Sequence, residues 1–492
     1  SKGQAERSKA PQWRFVALSP LNHQQMHTLA NIEGIADPAP LLQAVESQHA
    51  HDFAKRPLDF IELCGDWKAH GRIRSHREQV NHNIEVKLRP RGERRERLAL
   101  APERAREGAE RLALAALLTR RFTIWHGQDD DRGRGDSALD PSKILADWTG
   151  DELQTLLERP LFGFATYGRV RFHNRSVIEF LAAERLQVLL RKGMSTRIMK
   201  RLLFVTTPVG LSIVKPTMQP VAAWLAPHNP AICTEILQRD PSILLRHADP
   251  GSLDLAMRTE ALQHYVEVYG AGGWRGQHVP ALQIQRLASP DLAPVIECLW
   301  AQGIENPEVR ETLLELIGAG KLTTCADIAY AVAIDTEFDV RGRMEGLLAL
   351  SELGDARLPH LFDQFSVTPA NWPTELVSVA IAHLFPSHMS VMQLLEALTR
   401  LQPKPREIGG VPTLLPLAIA KARFGGGQLE LLRAGLMALV EPSCSWHDQH
   451  YRIAAQRQDL VPALLVASRL QLAAHVAGPE LFKSLVLAWH LA

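Results

Sequence analysis

Apolar positions along this chain recur mostly at helical spacing, and one short stretch changes period in the middle. Over residues 168–190 (GRVRFHNRSVIEFLAAERLQVLL), Val170 and Phe172 alternate with Arg169 and Arg171, as in a half-buried strand. His173-Asn174 breaks the run, and from Ser176 the apolar residues (Val177, Phe180, Leu181, Leu186, Leu189, Leu190) take helical spacing. Ser176 with Glu179 three residues on has the form of a capping box, so the helix is expected to start there. The pattern predicts a strand edge, a histidine at the turn and a firmly started helix.

Upstream, Trp13–Leu18 reads as one strand ended by Ser19-Pro20, followed by helices at His23–Ile32 and Pro40–Ser47. A further helix carries Phe60, Ile61, Leu63, Cys64 and Trp67 after Lys55-Arg56-Pro57-Leu58. One strand followed by helices suits the tail of a parallel-sheet domain whose other strands lie upstream. Residues 86–111 interleave Lys87, Arg89, Arg91, Arg94, Arg95 and Arg97 with Glu93, Glu96, Glu103, Glu107 and Glu110, the pattern of a solvated helix face. Leu112–Leu118 continues as a buried helix, and Phe122–Trp125 as a strand. Asp129-Asp130-Asp131 lies in a Gly/Asp/Arg loop that lacks the spacing and distal Glu of a calcium site. Asp140 caps Pro141, two short helices follow at Ile144–Trp148 and Leu153–Leu157, and Leu161–Phe164 leads through Tyr167-Gly168 into the stretch above. That order, helices and then a two-stranded wing, is winged-helix order. Its recognition helix would be residues 151–158 (DELQTLLE), too acidic for phosphates, so nucleic acid is not expected as a partner.

Beyond residue 200, helical periods recur at Ala231–Gln238, Asp254–Tyr269, Leu292–Gln302, Pro307–Ile317, Val340–Leu353, Glu375–Leu384, Val391–Leu401 and Leu429–Val440. Asp339-Val340-Arg341 with Ala349-Leu350 and Gly354-Asp355 looks like a HEAT-type unit, and such helix pairs must stack to cover their apolar faces. The expected fold is mainly α: a helical domain and a winged-helix domain followed by an α-solenoid of HEAT-like helical repeats.

Composition narrows the setting. Hydrophobic residues make up 46% and charged residues 22% of 492, with a net charge of +1, which argues for a globular protein and against a generic polyanion binder. Five scattered cysteines form no CxxC pair, so no zinc ribbon or disulfide framework is expected, and a cytoplasmic location fits. No apolar run is long enough to span a bilayer, so no membrane is expected. The first residues lack a signal peptide and an initial Met, and the chain reads as a piece of a longer protein.

Phe172, His173, Ser176, Glu179, Phe180, Leu181, Ala182 and Ala183 resemble the close of the winged-helix domain in NACHT-type signalling NTPases of the STAND class, whose pattern is roughly Phe-x-His-x-Ser-x-x-Glu-(Phe/Tyr)-Leu-Ala-Ala. The resemblance covers roughly residues 13–250 and is specific over 169–190. It implies a last core strand in residues 1–20, a small helical domain in 21–90, a winged helix in 91–190 and a HEAT-like sensor in 191–492. It also implies that His173 reaches the β-phosphate of ADP, and that Pro57 packs on adenine. Read from the residues alone, a histidine before a helix is usually capping or solvated, and a proline at the first helical position is common.

The implied protein is the C-terminal regulatory and sensor part of such an NTPase, of the kind used in bacterial antiphage (antiviral) defence. It would bind ADP or ATP, with Mg²⁺ held outside this chain, sense a protein ligand on the solenoid and self-oligomerise on activation. No Walker A or B element is present, the nearest approach being Gly318-Ala-Gly320-Lys321 at a helix end, so the chain alone should not be catalytic. The competing expectation is a helical-repeat interaction scaffold that binds no nucleotide. Cys444, His447 and His450 offer metal-ligand types without a fourth member and read as a polar loop between helices.

Overall fold

The computed structural model describes residues 20–47, 50, 54–90, 98–126, 138–165, 168–361, 371–401, 410–425, 427–447, 452–474 and 477–491. It is mainly helical and divides into two compact units, Ser1–Val205 with Lys215–His228, and Thr206–Val214 with Asn229–Ala492. The strand expected at Trp13–Leu18 lies outside the described residues.

The first unit opens with α1 (His23–Ile32), started by a capping box between Asn22 and Gln25, then α2 (Ala39–Ser47) and α3 (Pro57–His70). Their apolar faces meet around Met26, Leu41, Val45, Phe60, Leu63 and Ile73. Pro57 occupies the first position of α3, where its missing N–H costs no hydrogen bond, and Gly71 ends the helix at φ 64°.

Next come α4 (His76–Lys87) and α5 (Pro102–Thr119). The mixed-charge stretch is therefore not one solvated helix. Pro90 cannot continue α4, and the cations of α5 are held: Arg104 and Arg111 on Asp147 at 3.1 and 2.6 Å, Arg106 on Glu110 at 3.4 Å. The other side of α5 is buried through Ala105, Ala109, Leu112 and Ala116. Arg159, 1% exposed, donates to the carbonyls of Leu88 and Leu100, at 2.7 Å to the latter, and so ties together the two ends of the α4–α5 connection.

A short strand β1 (Ile124–Trp125) precedes α6 (Pro141–Ile144), capped by Asp140 as the sequence predicts, and α7 (Gly150–Leu157). Strands β2 (Phe162–Phe164) and β3 (Arg169–Phe172) complete an antiparallel sheet of order β1-β3-β2. Period-two alternation sends Ile124, Phe162, Val170 and Phe172 into the core, where the rings of Phe162 and Phe172 lie 4.6 Å apart. Helix α8 (Arg175–Arg191) leaves the sheet and packs along α5. In sequence there follow α9 (Thr196–Leu203), β4 (Phe204–Thr206), β5 (Ser212–Val214) and α10 (Gln219–Leu225), the last packed on α8.

The second unit is built of α11 (Pro230–Arg239), α12 (Ser242–His247), α13 (Leu255–Tyr269), α14 (Ala281–Leu287), α15 (Ala293–Ala301), α16 (Pro307–Ala319), α17 (Ala326–Ile334) and α18 (Val340–Leu353). After these come α19 (Thr374–Leu384), α20 (Val391–Arg400), α21 (Val411–Lys421), α22 (Gln428–Val440), α23 (Val461–Ala473) and α24 (Pro479–Leu491). Helices α12, α14, α16, α18, α19, α21 and α23 each touch the next and form one row. A second row runs through α11, α13 and α15 and, further on, through α20, α22 and α24. Asp339 caps α18 and Gly354 ends it in the left-handed region, while Gly320 is the C-cap of α16, so the phosphate-loop lookalike is a helix end. Cys444 and His447 do not sit in a loop: β6 (Cys444–His447) pairs antiparallel with β7 (Arg452–Ala455). His450 lies outside the described residues.

Candidate functional site

The corner between β3 and α8 sorts its residues cleanly. Phe172, Phe180, Leu181, Ala182 and Ala183 are all buried at 4% exposure or less, so they build the core at the point where strand becomes helix. Ser176 and Glu179 are half-buried. His173 alone among the eight motif residues has an exposed side chain.

The helix starts two residues earlier than the Ser-x-x-Glu spacing suggests. Asn174 is the N-cap, its side chain accepting from the Ser176 N–H at 3.1 Å, and Glu179 turns instead to Arg175 at 2.8 Å. Burial raises the Glu179 carboxyl above its ordinary range, and Arg175 partly offsets this. In the family pattern quoted above, the histidine stands two residues before the serine. That position here is Asn174, so His173 carries over with a shift of one residue.

Backbone and glycine together place the His173 ring. The His173 backbone N–H donates to the Leu161 carbonyl at 3.4 Å, at the foot of β2. A Cβ built on Gly163 would lie 2.5 Å from His173 Cε1, so the imidazole rests on the bare backbone of β2. Arg171 is paired across the strands with Gly163, and Arg169 with Trp125, which gives the outer face of the sheet a cationic edge. Pro57 stands elsewhere in the same unit, exposed at the start of α3.

No protein-family model matches the chain, and no curated protein does. Among the described residues, no group of three His, Cys, Asp or Glu side chains is arranged to hold a metal, and no helix is long and apolar enough to cross a membrane. All five cysteines are free thiols, and burial pushes Cys64, Cys233 and Cys325 up to about 11, which keeps them protonated and unreactive at neutral pH.

The second unit holds charged residues that the sequence reading passed over. Glu315, Glu345 and Glu352 line a cavity of about 210 Å³ between α16 and α18, with Gln285 and His383 also on its wall. Glu311, 1% exposed, pairs with Arg341 at 2.9 Å, and Glu315 Oε2 is buried with no hydrogen-bond partner among the described residues. Desolvation, reinforced by the neighbouring carboxylates, pushes Glu315 up to about 7; burial does the same to Glu311 against the pull of Arg341. The signal was present in the sequence as Glu308, Glu311 and Glu315 at i, i+3 and i+7 along a leucine-rich helix.

Proposed function

We propose that this chain is the C-terminal regulatory and sensor part of a NACHT/STAND signalling NTPase, whose helical and winged-helix domains close over a bound ADP and whose repeat region senses a protein ligand. The observation that carries the reading is the division of labour at the β3–α8 corner. The apolar residues of the motif are core, and the imidazole is the one member the fold leaves outside. It stands just ahead of the N-terminus of a 17-residue helix, where the positive end of the helix dipole favours a phosphate. The element order through β3 supports a winged helix, and the two rows of alternate helices support a HEAT-like solenoid. Pro57 would face the adenine, and the phosphate loop and Mg²⁺ ligands would come from an NTPase core.

In this scheme ADP bridges core and winged helix in the closed state. Ligand on the repeats then favours an open, ATP-bound oligomer through differential affinity for the two states. The test is His173→Ala in the protein carrying its NTPase core. Loss of one charge-assisted contact should speed ADP release by about tenfold or more and raise basal signalling. ADP release and signalling equal to wild type would remove His173 from the site.

A scaffold that binds a protein partner without any nucleotide is the second reading. Phe482 and Trp489 on α24, 69% and 80% exposed, favour it, because apolar patches of this kind mark protein contacts. Wild-type behaviour of His173→Ala, together with partner binding lost on Trp489→Ala, would select that reading.

A further inference from the structure

Alternation along β3 puts Arg169, Arg171 and His173 on the outer face of the sheet, about 7 Å from one to the next. Cross-strand from Arg171 is Gly163, where every other residue type would place a side chain. An added Cβ would lie 2.5, 3.0 and 3.1 Å from Cε1, Nδ1 and Nε2 of His173. The φ of Gly163 is outside the left-handed region, so the position needs glycine for space rather than for backbone freedom. Arg171 is exposed and has no ion pair or hydrogen bond among the described residues. A guanidinium that no carboxylate of the described residues neutralises, two residues from a seated imidazole, is a ready second donor to an oxyanion.

We propose that Gly163 and Arg171 complete an anion cradle with His173, in which the glycine seats the ring and the arginine supplies a second, fork-shaped contact to the phosphates of a nucleoside diphosphate. The inference rests on the nucleotide reading of His173 and adds to it two residues that the motif does not contain. Gly163 acts as a positioning residue. The atoms its substituted form would strike belong to the end of a side chain, so the strand can accept a methyl while the ring gives way.

The experiment uses the chain labelled with ¹³C at histidine Cε1, with the His173 peak assigned as the one missing from His173→Ala. Inorganic pyrophosphate and then ADP are titrated into the wild type, Gly163→Ala and Arg171→Gln, and each variant is checked by thermal melting. The wild-type peak should shift with pyrophosphate. Gly163→Ala should move the free peak and weaken pyrophosphate binding about tenfold or more, with melting unchanged. Arg171→Gln should weaken binding similarly while leaving the free peak in place. A Gly163→Ala peak at the wild-type position, either variant binding like wild type, or a wild-type peak that ignores both anions overturns the cradle. If His173→Ala still releases ADP faster while either of these variants behaves as wild type, only the present inference falls. If His173→Ala has no effect, the nucleotide reading falls with it.

Discussion

A side-chain oxygen that accepts a backbone N–H in the first turn of a helix contributes about 1 kcal/mol. At α8 that oxygen belongs to Asn174. Asn174→Ala should therefore lower unfolding stability by about 1 kcal/mol in urea titration, and Ser176→Ala by no more than a few tenths. The reverse ranking would restore Ser176 as the cap. The spacing of Ser176 and Glu179 suits a capping box, yet two adjacent residues decide against it. Asn174 is as good a cap as serine, and Arg175 captures the carboxylate that the box would need. At this scale the candidate site was legible in part: the strand, the turn histidine and the helix could be read from residue types. The glycine under the imidazole could not, because a cross-strand contact depends on register, which short strands do not announce.

Among the elements, those with a clear apolar stripe were legible to within a residue or two: Val340–Leu353 is found as expected, and Pro307–Ile317 extends to Ala319. Elements buried on all sides were missed, since a run such as Val221–Leu225 has no polar face to give it a period. Close packing between elements was equally silent, and glycine substitutions expose it. In α18 a Cβ on Gly346 would lie 2.8 Å from the Ala329 carbonyl oxygen and 3.0 Å from the Ala333 nitrogen, both backbone atoms of α17. Backbone cannot swing aside, so Gly346→Ala should cost about 1–3 kcal/mol, outweighing the roughly 1 kcal/mol that alanine gains in helix propensity. Gly65 in α3 meets nothing within 4 Å, so there the propensity term acts alone and Gly65→Ala should raise stability by up to about 1 kcal/mol. Opposite signs for the same substitution in denaturant titrations are the expected result; two changes of the same sign would mean that α17 and α18 are not in such close contact.

For the whole molecule, a net charge of +1 conceals carboxyls that respond to pH in opposite senses, and each unit holds an example. In the first, Arg72 holds Glu78 down at about 2, so its contribution is present above the ordinary carboxylate value and fades in acid; the pair is well exposed and the effect small. In the second, Glu311 and Glu315 are both raised to about 7, chiefly by burial, with Glu345, Glu352 and Asp339 adding negative charge and Arg341 the facing cation. A carboxyl whose folded value lies above its unfolded one binds its proton more tightly in the native state. Its contribution is complete below the ordinary value near 4.5 and is lost as pH rises through about 7. Together the two glutamates outweigh His247, which burial pushes down to about 4 and which acts in the opposite sense, so the second unit should melt at a higher temperature at pH 5.5 than at pH 8. Glu315→Gln removes the ionisation and keeps the shape. It should flatten this slope and stabilise the unit at pH 8 by on the order of 1–2 kcal/mol more than at pH 5.5. Calorimetric scans of wild type and variant across that range are the measurement, and an equal effect of the substitution at both pH values would mean that Glu315 is already ionised in the folded protein.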